Sequence, residues 1–272
     1  MEQVLLVAEQ AGGWVEVEAV FQEPVQAVFV YVLIAVKKLP ISEGFLVLML
    51  NVRNAERKWY GDKMLNVIRE KFADEVINNY KEYCARQELY LKFGYDSEKE
   101  RQFIIENAIP IDEEILEIGT GKGYLAVELA RKGYYFSSID IDDECLHIAR
   151  LNLKYFSFES NVKITKQNAE QLSFKDNSFN TVFMINTLHH LKHPYKVLSE
   201  IIRVISIQGK LVIGDFSEEG FEFMDKIHSM EGKTHERGKV SLKDIERYLL
   251  NKGFLVENFS SKFQNIIIIK FW

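Results

Sequence analysis

The sequence predicts an α/β protein with a doubly wound, mostly parallel sheet of seven strands and a C-terminal β-hairpin. From residue 115 onwards, short β-branched runs alternate with amphipathic helical runs, which is typical of repeated βα units. A turn containing three glycines follows the first of these strands. With 47% hydrophobic and 27% charged residues in a chain of 272, the composition is that of a folded globular protein.

The first 60 residues differ in composition from the rest of the chain. They contain 12 valines, 2 isoleucines and no aspartate, whereas the remaining 212 residues contain 10 valines and 24 isoleucines. Four β-branched or aromatic runs predict a small antiparallel meander, at residues 4–7, 14–21, 28–36 and 45–52. The alternative is that residues 1–60 are not a native folded part of the protein, whose start would then be Met64.

Residues 61–110 are predicted to form a helical lid segment that precedes the sheet domain at 111–272. Apolar residues at spacings of three and four predict a helix from Lys63 to near Gly94. A second helix is predicted at residues 97–107, with Ser97 as its N-cap and its end before Pro110.

The sheet domain is predicted element by element from the alternation of patterns. Strands are expected at residues 115–118, 135–139, 162–166, 181–185, 210–213, 254–259 and 266–271. Helices are expected at residues 124–132, 144–155, 195–205 and 242–251. The last two strands follow each other closely and therefore predict a hairpin that closes the sheet.

The glycine turn has a spacing that indicates a nucleoside site. Gly119, Gly121 and Gly123 follow a Gly-x-Gly-x-Gly pattern, which differs from the Gly-x-Gly-x-x-Gly of dinucleotide sites. Glu117 lies two residues before the first glycine, and Asp140 ends the next strand. A carboxylate at the position of Asp140 can accept both hydroxyls of a ribose.

These motifs resemble those of the class I S-adenosylmethionine-dependent methyltransferases, particularly the small-molecule branch related to the ubiquinone and menaquinone methyltransferases. The resemblance covers roughly residues 115–216. Residues 117–123 resemble the family's first motif, residues 168–179 its Asp-Ala-Glu-x-Leu-Pro-Phe stretch, residues 186–191 the loop after the fourth strand, and residues 209–215 the fifth strand.

The resemblance implies a Rossmann-like methyltransferase fold with S-adenosylmethionine as cofactor. It implies that the chain transfers a methyl group to an unidentified small-molecule acceptor by in-line displacement, which gives S-adenosylhomocysteine. The cofactor-binding residues expected from it are Glu117, Gly119, Thr120, Gly121, Gly123, Asp140, Ile141, Asn168, Ala169 and Asn186. Two alternatives stay open: a non-catalytic cofactor-binding scaffold, and a nicotinamide-dependent oxidoreductase, which the glycine spacing disfavours.

The sequence departs from the family pattern at several positions. Asn168 replaces the usual aspartate, so that its contact to the adenine amino group would use a neutral amide oxygen. Asn180 replaces the aspartate that usually opens the fourth strand, and residues 206–209 lack the usual Pro-Gly turn. None of these changes touches the glycine turn.

The histidines after the fourth strand are candidates for chemistry. His190 is the candidate general base, since ligands of open α/β sheets bind at this edge; the alternative is that it only shapes the turn. His189 and His193 have no third ligand at a zinc-like spacing, so no metal site is expected. Residues 218–237 are expected either to cover the cofactor as a lid or to pack on the sheet as an amphipathic helix. Lys122 is expected to point to solvent.

Charge and hydropathy limit the partners. The formal charge of −6 disfavours nucleic acid, and the apolar runs are too short for a membrane span or a signal peptide. Two widely separated cysteines favour a reducing compartment, and a cytoplasmic location is expected. An apolar N-terminal sheet, if folded, is a candidate homodimer surface.

Overall fold

The structure is a computed structural model that describes the backbone of residues 2–10, 13–21, 27–35, 45–53, 73–234 and 237–270, and the side chains of the last two ranges. The chain divides into two compact units, Met1–Ile77 and Asn78–Trp272. The domain boundaries predicted near residues 60 and 110 stay predictions.

The first unit contains four strands of nine residues each. β1 (Glu2–Gln10) pairs antiparallel with β2 (Gly13–Phe21), and β3 (Ala27–Ala35) pairs antiparallel with β4 (Phe45–Arg53). The strands therefore form two separate two-stranded sheets, where the sequence predicts one meander. Alternation identifies strands but does not specify which strands pair. Whether residues 1–60 are a native folded part stays a prediction.

Two helices precede the large sheet. α1 (Asp74–Lys92) covers the described part of the first predicted helix, whose residues 63–72 lie outside the described residues. α2 (Ser97–Asn107) has the predicted bounds, but its cap is Asp96, whose carboxylate accepts a hydrogen bond of 3.1 Å from the backbone N–H of Lys99. The prediction of Ser97 as the cap is therefore wrong: Ser97 is buried in the first turn, and its hydroxyl bonds to Gln87.

The seven predicted strands of the second unit form one sheet. They are β5 (Ile115–Ile118), β6 (Phe136–Asp140), β7 (Val162–Lys166), β8 (Phe179–Ile185), β9 (Ile205–Phe216), β10 (Leu255–Ser260) and β11 (Gln264–Lys270). Their order across the sheet is β10-β11-β9-β8-β5-β6-β7, and only β11 runs antiparallel to its neighbours. The expectation of a mostly parallel sheet with a C-terminal hairpin is confirmed.

Helices cover both faces of this sheet. They are α3 (Tyr124–Arg131), α4 (Asp143–Tyr155), α5 (Pro194–Val204), α6 (Glu218–Met230) and α7 (Leu242–Asn251), with a 3-10 turn at Leu188–His190. Successive residues of β9 point to opposite faces, so that Leu211 and Ile213 join one buried cluster and Val212 joins the other. None of the helices in the described part of the chain combines the length and apolar character needed to cross a membrane.

The segment at 218–237 contains an amphipathic helix. Phe223 and Ile227 of α6 are buried in a third cluster with Tyr90, Tyr95 and Phe263. Ser217 caps the helix by accepting a hydrogen bond from the N–H of Gly220. The helix also lines the cavity described below. The segment is thus an amphipathic packed helix, as one expectation had it, and also borders the cavity, as a lid would.

We expect the buried face of α7 to carry measurable stability. Leu249 is fully buried, whereas its neighbour Leu250 is 50% exposed. Leu249→Ala should therefore lower the free energy of unfolding by about 2 to 5 kcal/mol, through lost burial and a residual cavity. Leu250→Ala, the matched control, should change it by less than about 0.5 kcal/mol. Denaturant unfolding measures both; equal effects would contradict the described packing of α7.

Candidate active site

The glycine turn joins β5 to α3 in a conformation that requires glycine. Gly119 has a φ of 82°, and a Cβ there would lie 2.1 Å from Thr187 Oγ1. Gly123 has a φ of 76°, and a Cβ there would lie 2.9 Å from the Cβ of Ala149 in α4. At Gly121 a Cβ would meet nothing within 4 Å, so the middle of the turn borders open space. This arrangement leaves the backbone accessible to a ligand.

Hydrogen bonds fix the turn to the end of β6. The backbone N–H groups of Gly119 and Thr120 donate to the carbonyl of Ile139 at 2.9 and 3.0 Å. The N–H of Gly121 donates to Asp140 Oδ2 at 2.7 Å, and the other carboxylate oxygen accepts from the N–H of Asp142 at 3.0 Å. Asp140 is thus held in place by backbone groups on both sides.

Two asparagines hold the turn from the opposite side. Asn152 of α4 is 1% exposed, and its amide nitrogen donates to the carbonyl of Lys122 at 2.8 Å. The amide oxygen of Asn152 accepts from Asn79 of α1 at 2.7 Å. Lys122 itself is half-buried and lines the cavity, contrary to the expectation that it points to solvent. Burial lowers the pKa of its ammonium group, and the nearby charge of Arg86 lowers it further.

A buried carboxyl group lies beneath the turn. Glu117 is 2% exposed and accepts a hydrogen bond of 2.5 Å from Ser138 Oγ, which is itself 2.6 Å from Thr120 Oγ1. Burial raises the pKa of Glu117 to about 8; the Ser138 hydrogen bond opposes this shift, and the charge of Asp140 adds to it. The carboxyl group is therefore mostly protonated at neutral pH, and a cation bound nearby would favour its ionised form.

A cavity of about 320 Å³ opens next to the turn, at the carboxyl ends of β5 and β8. Its walls are formed by Tyr90, Tyr95, Ser97, Glu100, Arg101 and Ile104 of the helical segment, by Glu117, Gly119, Thr120, Lys122, Tyr124 and Leu125 around the turn, and by Ile185, Asn186, His189, His190, Phe216, Met224, His228 and Gln264. Ligands of open α/β sheets bind at this edge.

The predicted cofactor residues fall into two groups. Glu117, Gly119, Thr120 and Asn186 line the cavity. Gly121, Gly123, Asp140, Ile141, Asn168 and Ala169 continue from it along the ends of β6 and β7. Ile141 is 62% exposed at this edge, as a residue that packs on a ligand ring would be. The amide oxygen of Asn168 accepts a hydrogen bond of 2.9 Å from the N–H of Glu170. The roles of all ten residues stay predictions.

Two buried polar side chains in the cavity wall have atoms without a hydrogen-bond partner among the described residues. Arg101 is 9% exposed; its Nε has no partner, and its guanidinium carbon lies 5.5 Å from the centre of the Tyr124 ring. Gln264 is 1% exposed; its nitrogen donates to Asn186 Oδ1 at 3.0 Å, whereas its Oε1 has no partner. Buried polar groups are nearly always satisfied, so these two atoms indicate ligand contacts.

Sequence reasoning missed Arg101, although a signal was present. Arg101 lies three, four and seven residues before the apolar Ile104, Ile105 and Ala108, which are all buried. A charged residue in line with the apolar face of a helix is costly to bury without a partner. That pattern alone would have indicated a ligand-facing cation.

The two neighbouring histidines have different surroundings. His189 is 5% exposed, and its Nδ1 lies 2.5 Å from a carboxylate oxygen of Asp215, which is 4% exposed at the end of β9. His190, the predicted base, is exposed, and its ring centre lies 4.0 Å from that of His189. Both line the cavity, so a catalytic role for His190 stays a prediction. The His189–Asp215 pair was not predicted.

Comparison with known proteins finds a methyltransferase domain over the part of the chain that contains the glycine turn. The family model described as a methyltransferase domain matches residues 116–213. The chain is 26% identical over 165 residues to the ubiquinone/menaquinone biosynthesis C-methyltransferase UbiE of Wigglesworthia glossinidia brevipalpis, a match that covers 60% of this chain and 66% of the relative, just under two thirds of its length. It is also 26% identical over 218 residues to the enzyme of that name from Blochmanniella pennsylvanica, a match that covers 77% of this chain and 84% of the relative.

Solved structures share the fold. The PH0226 protein of Pyrococcus horikoshii superposes with a TM-score of 0.54 at 19% identity, over 70% of this chain and 92% of that protein. The [4+2]-cyclase SpnF superposes with a TM-score of 0.52 at 14% identity, over 64% of this chain and 81% of the cyclase. One of these proteins is a cyclase by name, so the fold does not by itself determine the reaction.

Substitutions at two glycines distinguish the cost of a left-handed backbone from the cost of a steric clash. Gly133 has a φ of 88° and open space around its Cβ position, whereas Gly119 has a similar φ and faces Thr187. Gly133→Ala should cost about 1 to 2 kcal/mol of unfolding free energy, through its left-handed backbone alone. Gly119→Ala should cost a further 1 to 3 kcal/mol, roughly the penalty of overpacking. Denaturant unfolding tests this; equal costs would contradict the close approach of Thr187.

Proposed function

Because the chain carries a class I S-adenosylmethionine-dependent methyltransferase domain, we propose that it methylates a small planar aromatic acceptor of the quinone class. The proposal rests on the composition of the cavity wall opposite the glycine turn. Aromatic rings, a methionine and histidines form it: Tyr90, Tyr95, Phe216, Met224, His189 and His190. Such side chains suit the two faces of a flat ring.

The described residues fit the chemical groups of the cofactor. S-Adenosylmethionine carries a carboxylate, an ammonium group, a sulfonium and a ribose; when bound, it supplies an electrophilic methyl group. Arg101 would hold the carboxylate, because its buried Nε has no partner within the described residues. Glu117 and the unpartnered Oε1 of Gln264 would accept from the ammonium group.

The ribose and adenine would lie along the ends of β6 and β7. Each oxygen of Asp140 already accepts one backbone hydrogen bond, yet a carboxylate has about four acceptor sites, so both oxygens retain a site for a ribose hydroxyl. The exposed Ile141 would cover one face of the adenine, with Asn168 and Ala169 at its edge. The cofactor would also contact the open space at Gly121 and the side chain of Asn186.

The chain's own contribution to methyl transfer is alignment and the exclusion of water. The reaction needs acceptor, methyl carbon and sulfur in line, and such orientation supplies about 7 to 11 kcal/mol. α1 and α6 bound the cavity and share a buried cluster, so they hold the acceptor wall against the glycine turn. The relatives named as ubiquinone/menaquinone biosynthesis C-methyltransferases support an acceptor of the quinone class.

The remaining partner predictions keep their basis in the sequence. We propose a cytoplasmic enzyme without a nucleic-acid partner, on the charge of −6 and the two separated cysteines. A homodimer through the N-terminal strands is proposed on their apolar composition. The scaffold alternative keeps its basis in Asn168 and in the first 60 residues, and turnover decides between it and the enzyme.

Turnover on a quinol tests the proposed function. Incubation of the full chain with S-adenosylmethionine and 1,4-dihydroxynaphthalene under reducing conditions should give S-adenosylhomocysteine and a naphthol heavier by one methylene, detected by mass spectrometry.

Asp140→Ala should weaken cofactor binding by about 1 to 3 kcal/mol, and Leu250→Ala, on the exposed face of α7, should not. Binding without turnover on any quinol would favour the scaffold; competition by NADH would favour the oxidoreductase.

The protonation state of Glu117 should appear in cofactor binding. Its pKa of about 8 means that it is mostly protonated at neutral pH, and a cationic ligand favours the carboxylate, so binding should release a proton. Affinity should therefore rise by up to about tenfold per pH unit towards pH 8 and level off above it.

Calorimetry in two buffers with different ionisation enthalpies measures this proton release. Glu117→Gln preserves the size of the side chain and removes its titration, so the variant should release fewer protons at neutral pH. The amino group of the cofactor is present in both measurements. The difference in proton release between the two proteins therefore reports Glu117. Equal proton release by the two proteins would refute a contact between Glu117 and the cationic part of the cofactor.

A further inference from the structure

A buried histidine–aspartate pair lies in the acceptor wall of the cavity. His189 follows β8 in the 3-10 turn, and Asp215 lies near the end of β9; their side chains are 4% and 6% exposed. His189 Nδ1 and Asp215 Oδ1 are 2.5 Å apart, and the same oxygen accepts from the N–H of Phe216 at 3.0 Å. The carboxylate is therefore fixed by the backbone of its own strand.

The pair determines which nitrogen of His189 can accept a proton. An ionised carboxylate only accepts hydrogen bonds, so Nδ1 must carry the proton that lies between the two groups. In the neutral ring, Nε2 is then the basic nitrogen. A carboxylate in this position also stabilises the imidazolium that forms when Nε2 takes up a proton.

Packing holds the ring of His189 in one orientation. The ring centres of Phe216 and Phe221 lie 5.7 and 5.3 Å from that of His189. Its backbone carbonyl accepts a hydrogen bond of 2.8 Å from Gly238, where a Cβ would approach that oxygen to 2.9 Å. His190, by contrast, is exposed, so burial does not fix its ring. Packing and the bond to Asp215 therefore fix the orientation of the His189 ring.

We infer that the methyl acceptor carries an ionisable phenolic or enolic hydroxyl, and that His189 removes its proton while Asp215 acts as a positioning residue. This inference rests on the proposed function and names the catalytic group for it. The acceptor O–H proton moves to Nε2, and the electron pair stays on the oxygen and delocalises into the ring. The oxygen or a ring carbon bonds to the methyl carbon, and the S–C bond electrons pass to sulfur. After transfer to carbon, loss of the proton of that carbon restores the aromatic ring.

Charged and titratable groups from several elements line the cavity together with His189: Tyr90, Tyr95, Glu100, Arg101, Glu117, Lys122 and Tyr124. His190 stacks beside it, Asp215 bonds to it, and His228 lines the same cavity. The guanidinium of Arg237 lies 4.5 Å from the centre of the Phe221 ring, on which His189 packs. Asp215 is thus the one carboxylate with a described hydrogen bond to the ring, which is why it determines the tautomer.

The ionisation of a bound phenol measures this role without turnover. The probe is 4-nitrophenol, whose neutral and ionised forms absorb at different wavelengths, added to the complex of the full chain with S-adenosylhomocysteine. We expect the bound phenol to ionise about one pH unit or more below free 4-nitrophenol. His189→Gln should abolish this shift, and Asp215→Asn should reduce it. His190→Gln, which removes the competing base, should reduce it less than His189→Gln does. Leu250→Ala, on the exposed face of α7, is the control and should retain it.

A second measurement covers the case in which a buried substitution prevents folding. Nitrogen NMR of the unchanged, histidine-labelled protein should show the neutral ring of His189 protonated at Nδ1 and unprotonated at Nε2. Calorimetry with S-adenosylhomocysteine shows which variants keep the cofactor site.

The outcomes separate the inference from the proposed function. With the cofactor product bound, an unshifted phenol, an unchanged shift in His189→Gln, an equal loss in His190→Gln, or a proton on Nε2 would each overturn the role of His189 and leave the proposed function standing. A shifted phenol together with failed methylation of the quinol would overturn the proposed acceptor alone. Failure to bind S-adenosylhomocysteine would overturn both.

Discussion

The hydrogen bonds between the glycine turn and the end of β6 are the constraint on which the site depends. The N–H groups of Gly119 and Thr120 share the carbonyl of Ile139, and the N–H of Gly121 reaches Asp140. These bonds form only because β5 and β6 are neighbouring parallel strands, so their carboxyl ends lie at one edge. β8 pairs with β5 on the other side and brings Asn186 and the 3-10 turn to the same edge. The topology thus assembles groups from three distant segments.

The site buries polar groups, two of which have an atom without a hydrogen-bond partner among the described residues. A buried carboxyl, a buried guanidinium and a buried amide oxygen line one cavity, and an unsatisfied buried group costs about 1 to 3 kcal/mol. Two apolar clusters on the faces of the sheet offset that cost. The cofactor proposed above, with its carboxylate and ammonium group, would satisfy these groups, so its binding should also stabilise the fold.

Local patterns predict the elements of the sheet domain well. The bounds of β5, β7 and α7 coincide with the sequence prediction, because a glycine, β-branched residues or the Ser241 capping box mark their ends. β9 begins at Ile205 rather than at residue 210: its first residues alternate apolar and polar and continue the strand through Gly209, and the pairing with β8 shifts register between Phe179 and Thr181. Ser97 is a reasonable cap by residue type, yet Asp96 precedes it and takes the position.

Pairings that join distant residues leave no local pattern: Asp215 is 26 residues from His189, and nothing in the sequence links the two.

Part of the site lies within the matched methyltransferase domain, and part of it lies outside. The matched methyltransferase domain, residues 116–213, contains the glycine turn, Asp140 and His189. Arg101, Asp215, Met224 and Gln264 lie outside it, although they line or support the same cavity. The family match therefore covers the glycine turn, Asp140 and His189, but not the side chains that α2, α6, β9 and β11 add to the cavity. SpnF, a cyclase by name, shares the fold, so the fold alone does not determine the reaction, which depends on the side chains around the cavity.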